Sequence, residues 1–438
     1  VPSRPWIASG PALVAFACLA VAAVSLAVQD AADYDPSGWI VWGREVLHLE
    51  LNTAVGPSWK PGAVLFTAVY AMFGGAAPAL WMITARFGAL LAIVMAYRLA
   101  ARQAGRFGGA VAGIMLLVTS GFLRSATYGE SDPMWTGLLL FACERALAGA
   151  QTPAVLLLVL ASLLRPETWP LLGAYSIYLW LRSPRRRWLL AASWAIVALL
   201  WFGGDWLGSG NPFESSTKAK QYVLRERPVV IHPGLFMLKS SITLVPWPVL
   251  VLAAAGLLFA VLRRQRAVLL LAATALVTTF VVVAMAQDGY PTLARFLFGG
   301  VALTCVLAGV GAGQLARCTW LRFSGLIAAA VIVAALLPFV VDGADAWAPQ
   351  IRAARTYATG QNSLPAVIAA AGGAARILSC KGYIITHHNL RPALAWDLDT
   401  DMSRIVAVRR HGVVVMKDSD QLAHLIGRRI RPVSYFVL

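Results

Sequence analysis

Continuous apolar runs of about 15–21 residues, separated by short polar loops, constrain this chain more than any other feature. As helices rising 1.5 Å per residue, such runs match a hydrocarbon layer about 30 Å thick. Transmembrane strands would alternate apolar and polar residues in shorter segments. Composition agrees: the chain is 59% hydrophobic and 13% charged, against about 45–50% and 25% for soluble domains. Eleven spans are expected, near residues 11–29, 78–97, 108–123, 134–149, 153–164, 168–181, 188–204, 246–262, 267–286, 296–315 and 323–341. The expected fold class is an α-helical multi-pass membrane protein. The first run lacks a polar region with an A-x-A site before Asp33, so it reads as a retained span.

The net charge of +17 is concentrated in loops. Arg98, Arg102 and Arg106 follow the second run, Arg182 to Arg187 the sixth, and Arg263 to Arg266 the eighth, while Arg317 and Arg322 follow the tenth. With eleven spans, all these loops fall on one side, which the positive-inside rule makes cytoplasmic. No basic, aromatic-interleaved domain is present, so nucleic-acid binding is set aside. Five cysteines without CxxC or metal-ligand spacing support neither a disulfide framework nor a zinc site.

From Asp342 the composition turns polar. Residues 382–386 and 413–416 read as strands, and 366–371 and 421–426 as helices. Two domains are therefore expected: a transmembrane domain, 1–341, and a small extracytoplasmic α/β domain, 342–438. Residues 62–74 are apolar but too short to span, and read as an interfacial or re-entrant helix.

Two carboxylates, Asp33 and Asp35, stand at the mouth of the first span. Charges beside hydrocarbon are costly and persist mainly where structure or function uses them. The same side should present Lys60, Glu130, Asp132, Arg165, Glu167, Lys218 and Arg295. Carboxylates mixed with cations beside lipid suit a substrate that is part anion, part polar and part lipid. A polyprenyl phosphate carrying a sugar fits. A carboxylate would deprotonate an acceptor hydroxyl, and cations would neutralise the departing phosphate.

The region 33–145 resembles the N-terminal part of the GT-C superfamily of membrane glycosyltransferases, in the branch of protein O-mannosyltransferases and lipid A aminoarabinose transferases. The residues that carry the likeness are Asp35, Arg44-Glu45-Val46, Lys60-Pro61-Gly62, Phe73-Gly74, Arg86-Phe87 and an acid at Glu130 or Asp132. Pro36 stands where the family often has a second acid, Trp39 where it often has Tyr, and Gly62 where it often has a second Pro. The resemblance implies an inverting transfer from a polyprenyl-phosphate sugar to a hydroxyl on a glycan, lipid or protein, at the outer face of the cytoplasmic membrane. It makes Asp35 the general base, matches Glu130 or Asp132 to a second acid, and assigns Lys60 and Arg295 to the donor phosphate. Read from their place on the same side, Asp33 is a further candidate acid, Arg165 a further candidate phosphate-binding cation, and Lys218, Tyr222 and Arg225 an acceptor or phosphate lid.

Plainer roles exist. Asp33 or Asp35 can cap a helix beginning near Ser37, which suits Asp33 better. Lys60 can snorkel at the interface, and Asp132-Pro133 is a good helix start. Arg165-Pro166-Glu167 can be a turn closed by a local ion pair. Lys218, Tyr222 and Arg225 can be a solvated face. His232, His387 and His388 read as surface residues. No cofactor is indicated by the residues, although Asp33-x-Asp35 leaves a divalent metal open. A flippase of lipid-linked sugars and a non-catalytic envelope-assembly protein are the rival functions.

Overall fold

The computed structural model describes residues 6–226, 230–317, 324–379, 383–406, 412–416 and 434–437, with side chains for most of them. Each of the eleven expected apolar segments is helical. The first is α1 (Trp6–Val24). Two shorter helices follow it, the amphipathic α2 (Tyr34–Leu47) and the apolar α3 (Pro61–Ala71). The next two expected spans form one 41-residue helix, α4 (Ala77–Leu117), broken at Gly105 with φ 82° and ψ 176°. Only glycine adopts that backbone cheaply, so the chain can reverse there without a loop.

The bundle continues through α5 (Phe122–Thr127), α6 (Ser131–Leu147), α7 (Gln151–Leu164), α8 (Trp169–Arg182) and α9 (Arg187–Ser209). The expected loop 205–243 holds two helices, α10 (Glu214–Glu226) and α11 (Pro233–Thr243). A bend of 88° joins α11 to α12 (Trp247–Leu262). Then come α13 (Arg266–Gln287), α14 (Phe298–Leu315) and α15 (Ser324–Asp345).

Among the described residues, six helical stretches are long and apolar enough to cross a membrane, or seven if the bent pair is one span. Helices α6, α7, α8 and α12 have 17, 14, 14 and 16 residues, fewer than the roughly 20 of a full span. The α7–α8 hairpin is thus short at its tip, where Arg165 lies.

Helix α14 is the axis of the bundle, with 89% of its apolar window buried. Its Gly/Ala-rich sequence allows that burial. A Cβ at Gly309 would strike the carbonyl oxygen of Gly108 on α4, and a Cβ at Gly108 would strike that of Gly309. Inside lipid, such backbone approach is what binds helices together.

Beyond α15 the chain forms α16 (Trp347–Asn362), α17 (Leu364–Ala370), α18 (Ala374–Leu378) and α19 (Arg391–Asp397). Four short strands make a parallel sheet in the order β2-β1-β3-β4: β1 (Tyr383–Thr386), β2 (Ile405–Val406), β3 (Gly412–Met416) and β4 (Ser434–Val437). Ile384 pairs with Ile405 on one side and Val413 on the other. The expected strands appear as β1 and β3, and the helix at 366–371 as α17. The helix expected at 421–426 lies outside the described residues.

Two contacts fix this part of the chain to the site. Arg44 of α2 donates to the carbonyls of Ala395 (3.3 Å), Trp396 (3.1 Å) and Thr400 (2.8 Å), and pairs with Asp399 at 2.9 Å. Helix α16 lies along residues 28–37. Arg355 donates to the Val28 carbonyl (3.1 Å), Asn362 to Asp30 (2.8 Å), and Tyr357 reaches the Ala32 carbonyl at 3.5 Å.

Candidate active site

The segment between α1 and α2 carries the first two acids. Asp33 is the N-cap of α2, its carboxylate accepting from the Tyr34 amide at 2.8 Å. The helix therefore starts at Tyr34, earlier than the Ser37 expected, and Asp35 lies in its first turn. Burial pushes the Asp33 carboxyl up from its ordinary range.

Asp35 is a quarter exposed and pairs with Arg295 Nη2 at 2.8 Å. Arg295 stands on the one-turn 3-10 helix before α14. Its Nη1 donates to Glu130, and its Nε lies 3.5 Å from Asp132. Glu130 is the N-cap of α6 and is 3% exposed. Burial pushes its carboxyl up to about 8, against the pull of Arg295.

Asp132 is fully buried and ion-paired to Arg165, so its carboxylate braces two arginines and does not cap the helix. The expected helix start at Asp132-Pro133 gives way to Ser131. Arg165 also holds Glu167, closing the anticipated local pair, and lies 3.9 Å over the Phe296 ring. Lys60 differs from both arginines. Its ammonium donates to the Ser131 hydroxyl at 2.8 Å and lies 4.5 Å over the Trp39 ring. No carboxylate stands within ion-pair distance of it among the described residues, and burial lowers its pKa.

These groups face one cavity of about 1240 Å³, lined among others by Asp33, Asp35, Lys60, Glu130, Arg165, Lys218 and Arg295. Asp132 stands behind its wall. Lys218 on α10 donates to the Thr53 carbonyl and lies 5.7 Å over Trp42; burial lowers its pKa to about 8. Tyr222 and Arg225 share that helix, but their side chains lie outside the described set. Apolar walls come from Trp169, Trp201, Phe213 and Phe298. The cavity thus joins an apolar, aromatic region to a charged floor.

No family model matches the sequence, and no curated protein matches it. Solved structures do. ArnT from Cupriavidus metallidurans in the apo state matches at TM-score 0.51 and 15% identity, covering 97% of this chain and 90% of that one. The same protein bound to undecaprenyl phosphate matches at 0.51 and 16%, with the same coverage. An oligosaccharyltransferase from Archaeoglobus fulgidus, tethered to an acceptor peptide, matches at 0.52 and 12% over 90% of this chain. This chain spans 63% of that protein's length.

The chain has the GT-C fold.

Within the GT-C fold, the sequence motifs separate into two kinds. Asp35 and Lys60 open onto the cavity. Arg44, Glu45 and Arg86 are architectural. Arg44 docks the C-terminal part, and Glu45 accepts from the Asn52 amide at 2.9 Å. Buried Arg86 joins α4 to Ser25, Gln29 and the Thr127 carbonyl.

The sequence reading missed two neighbours of the acids. His388, expected on the surface, stacks on Tyr34 with ring centroids 4.3 Å apart and lines the cavity. Tyr357 packs edge-on against Tyr128 at 5.5 Å, next to the Asp33 loop. No local signal marks either residue, because each is brought in from more than 300 positions away. Among the described residues, no group of three His, Cys, Asp or Glu is arranged to hold a metal.

Proposed function

We propose that the protein is a glycosyltransferase that moves a sugar from a polyprenyl-phosphate donor to an acceptor hydroxyl. One observation carries the reading: Asp35, Lys60 and Arg295 meet in a single cavity whose walls are aromatic and apolar. The ArnT neighbour solved with undecaprenyl phosphate supports the donor class. The cavity belongs on the outer face of the cytoplasmic membrane, because the arginine-rich loops then lie inside. Residues 1–341 are the transmembrane catalytic domain, and 342–438 the extracytoplasmic domain that covers the acids.

The chemistry follows from the geometry. Arg295 holds one oxygen of Asp35, which orients the carboxylate. Among the described residues nothing donates to its other oxygen, Oδ1, which is left for the acceptor hydroxyl. As the acceptor oxygen bonds to the anomeric carbon, its proton passes to Asp35 and the bond to the phosphate oxygen breaks. The sugar inverts, and the lipid phosphate leaves with the bonding pair. Lys60, whose one hydrogen-bond partner among the described residues is a neutral hydroxyl, is the cation available to meet that phosphate. Arg165 and Arg295 are already neutralised by carboxylates and act chiefly by fixing the acids.

The test uses purified protein titrated with undecaprenyl phosphate, together with cells in which variants replace the wild-type chain. Asp35→Asn should retain the lipid and abolish the glycan product, a loss of about 10²–10⁴-fold for a missing general base. Undiminished product with Asp35→Asn would remove Asp35 as the base. Lipid movement without any glycosylated product would favour the flippase reading.

A further inference from the structure

At the other end of the bundle from the cavity lies a second charged cluster. Glu144 is on α6, twelve residues beyond Asp132 and so about 18 Å along the helix axis. Its carboxylate is fully buried and takes three guanidinium groups: Arg98 Nη2 at 3.2 Å, Arg102 Nη1 at 2.6 Å and Arg145 Nε at 2.5 Å. Arg98 and Arg102 come from one face of α4, a turn apart. One carboxylate against three guanidiniums leaves two positive charges uncompensated (3 − 1).

Neutralising Glu144 needs one arginine. The other two are held in a fixed array, since among the described residues none of the three has another hydrogen-bonding or ion-pairing partner. Most of their donors are unused: each guanidinium carries five N–H groups and spends one on Glu144. The Nε of Arg98 is buried without a partner. The three side chains keep 37%, 47% and 29% of their surface exposed, so the array opens outward. Arg185 and Arg186, at another loop on the same side, have no such organising acid and form no ion pair among the described residues.

We propose that this array is a binding site for the headgroup of an anionic phospholipid in the leaflet opposite the cavity. A phosphodiester presents oxygens that arginine forks match in geometry and charge. Basic pockets between membrane helices are the usual form of such sites. A bound headgroup would supply the missing negative charge and tie α4 to α6, the helix whose N-cap, Glu130, lines the cavity. The inference does not depend on the enzymatic reading.

The test is native mass spectrometry of the delipidated full-length protein, with phosphatidylglycerol or phosphatidylcholine added back. Phosphatidylglycerol should be retained in preference. Arg98→Gln/Arg102→Gln should weaken its retention at least tenfold, while Arg185→Gln/Arg186→Gln should not. Should the double variant fail to fold, Arg102→Gln alone, at the most exposed of the three, reads the same effect. Equal loss in the Arg185/Arg186 control would mean general attraction to basic loops, and unchanged retention in all variants an adventitious lipid only; either overturns the site. A thermal shift with inorganic phosphate equal to that with phosphatidylglycerol would assign the array to free phosphate, and overturn the lipid. Undecaprenyl phosphate binding at Lys60 is unaffected by any of these outcomes.

Discussion

Arg295 holds Asp35 at 2.8 Å, although 260 positions of sequence separate them. The same guanidinium donates to Glu130, so a single side chain at the start of α14 sets the position of acids from two other segments. That arrangement makes the candidate base depend on the axis of the bundle. It also makes Arg295 harder to remove than any of the acids.

Arg295→Gln should therefore cost stability as well as activity. Above about pH 8, where Glu130 is ionised, it strands that carboxylate, which is 3% exposed, and breaking a buried pair from one side costs about 3–5 kcal/mol. Adding Glu130→Gln removes the stranded charge. The double variant should recover most of the lost melting temperature but none of the transfer, as measured by thermal unfolding in detergent and by product formation. If the second change recovers no stability, Glu130 is not the charge that Arg295 compensates.

Glu130 also gives a pH signature. Burial holds its carboxyl up to about 8 in the folded state, whereas an unfolded glutamate titrates near 4.3. Between those values the folded protein keeps a proton that the unfolded chain has released. Stability therefore falls as pH rises from about 4.3 to about 8 and is level above that. Glu130→Gln should flatten this slope. Melting temperatures across the pH range, for wild type and variant, check it; parallel curves would refute it.

Lys60→Ala should weaken undecaprenyl phosphate without disturbing the fold. The ammonium donates to one hydroxyl and pairs with no carboxylate among the described residues. A lost charge-assisted bond of about 1.5–3 kcal/mol corresponds to roughly 10- to 150-fold in affinity. Titration followed by native mass spectrometry measures it, with unchanged melting as the companion observation.

Arg44→Ala should loosen the C-terminal part from α2. Arg44 is 12% exposed and supplies three bonds to backbone carbonyls; their joint loss should cost about 3 kcal/mol. Limited proteolysis should then cut after α16 faster than in wild type. Equal cleavage rates would mean that the α16 contacts alone secure the unit.

Gly309→Ala should destabilise by about 1–3 kcal/mol, because the new Cβ meets the Gly108 carbonyl oxygen. Gly203→Ala on α9, where nothing stands within 4 Å, is the matched control and should be neutral or slightly stabilising. Thermal melting of the two proteins separates packing from helix propensity.

The helices were legible because hydrocarbon imposes one rule on every segment: a long apolar run must satisfy its own backbone hydrogen bonds. That rule acts locally, so all eleven segments could be read from the chain, and the Gly/Ala face of α14 stands in plain view. Asp33 as a cap and Lys60 ahead of α3 were equally local. The partnerships among charges were not. Nothing near Asp35 announces Arg295, nothing near Tyr34 announces His388, and Asp132 reads the same whether it faces a substrate or is buried behind two arginines. Sequence supplied the charges and the side of the bundle on which they gather. Only the packing of α2, α6 and α14 decided which charges neutralise each other and which, like Lys60, stay available, because a Coulomb interaction depends on distance in space and carries no trace of separation along the chain.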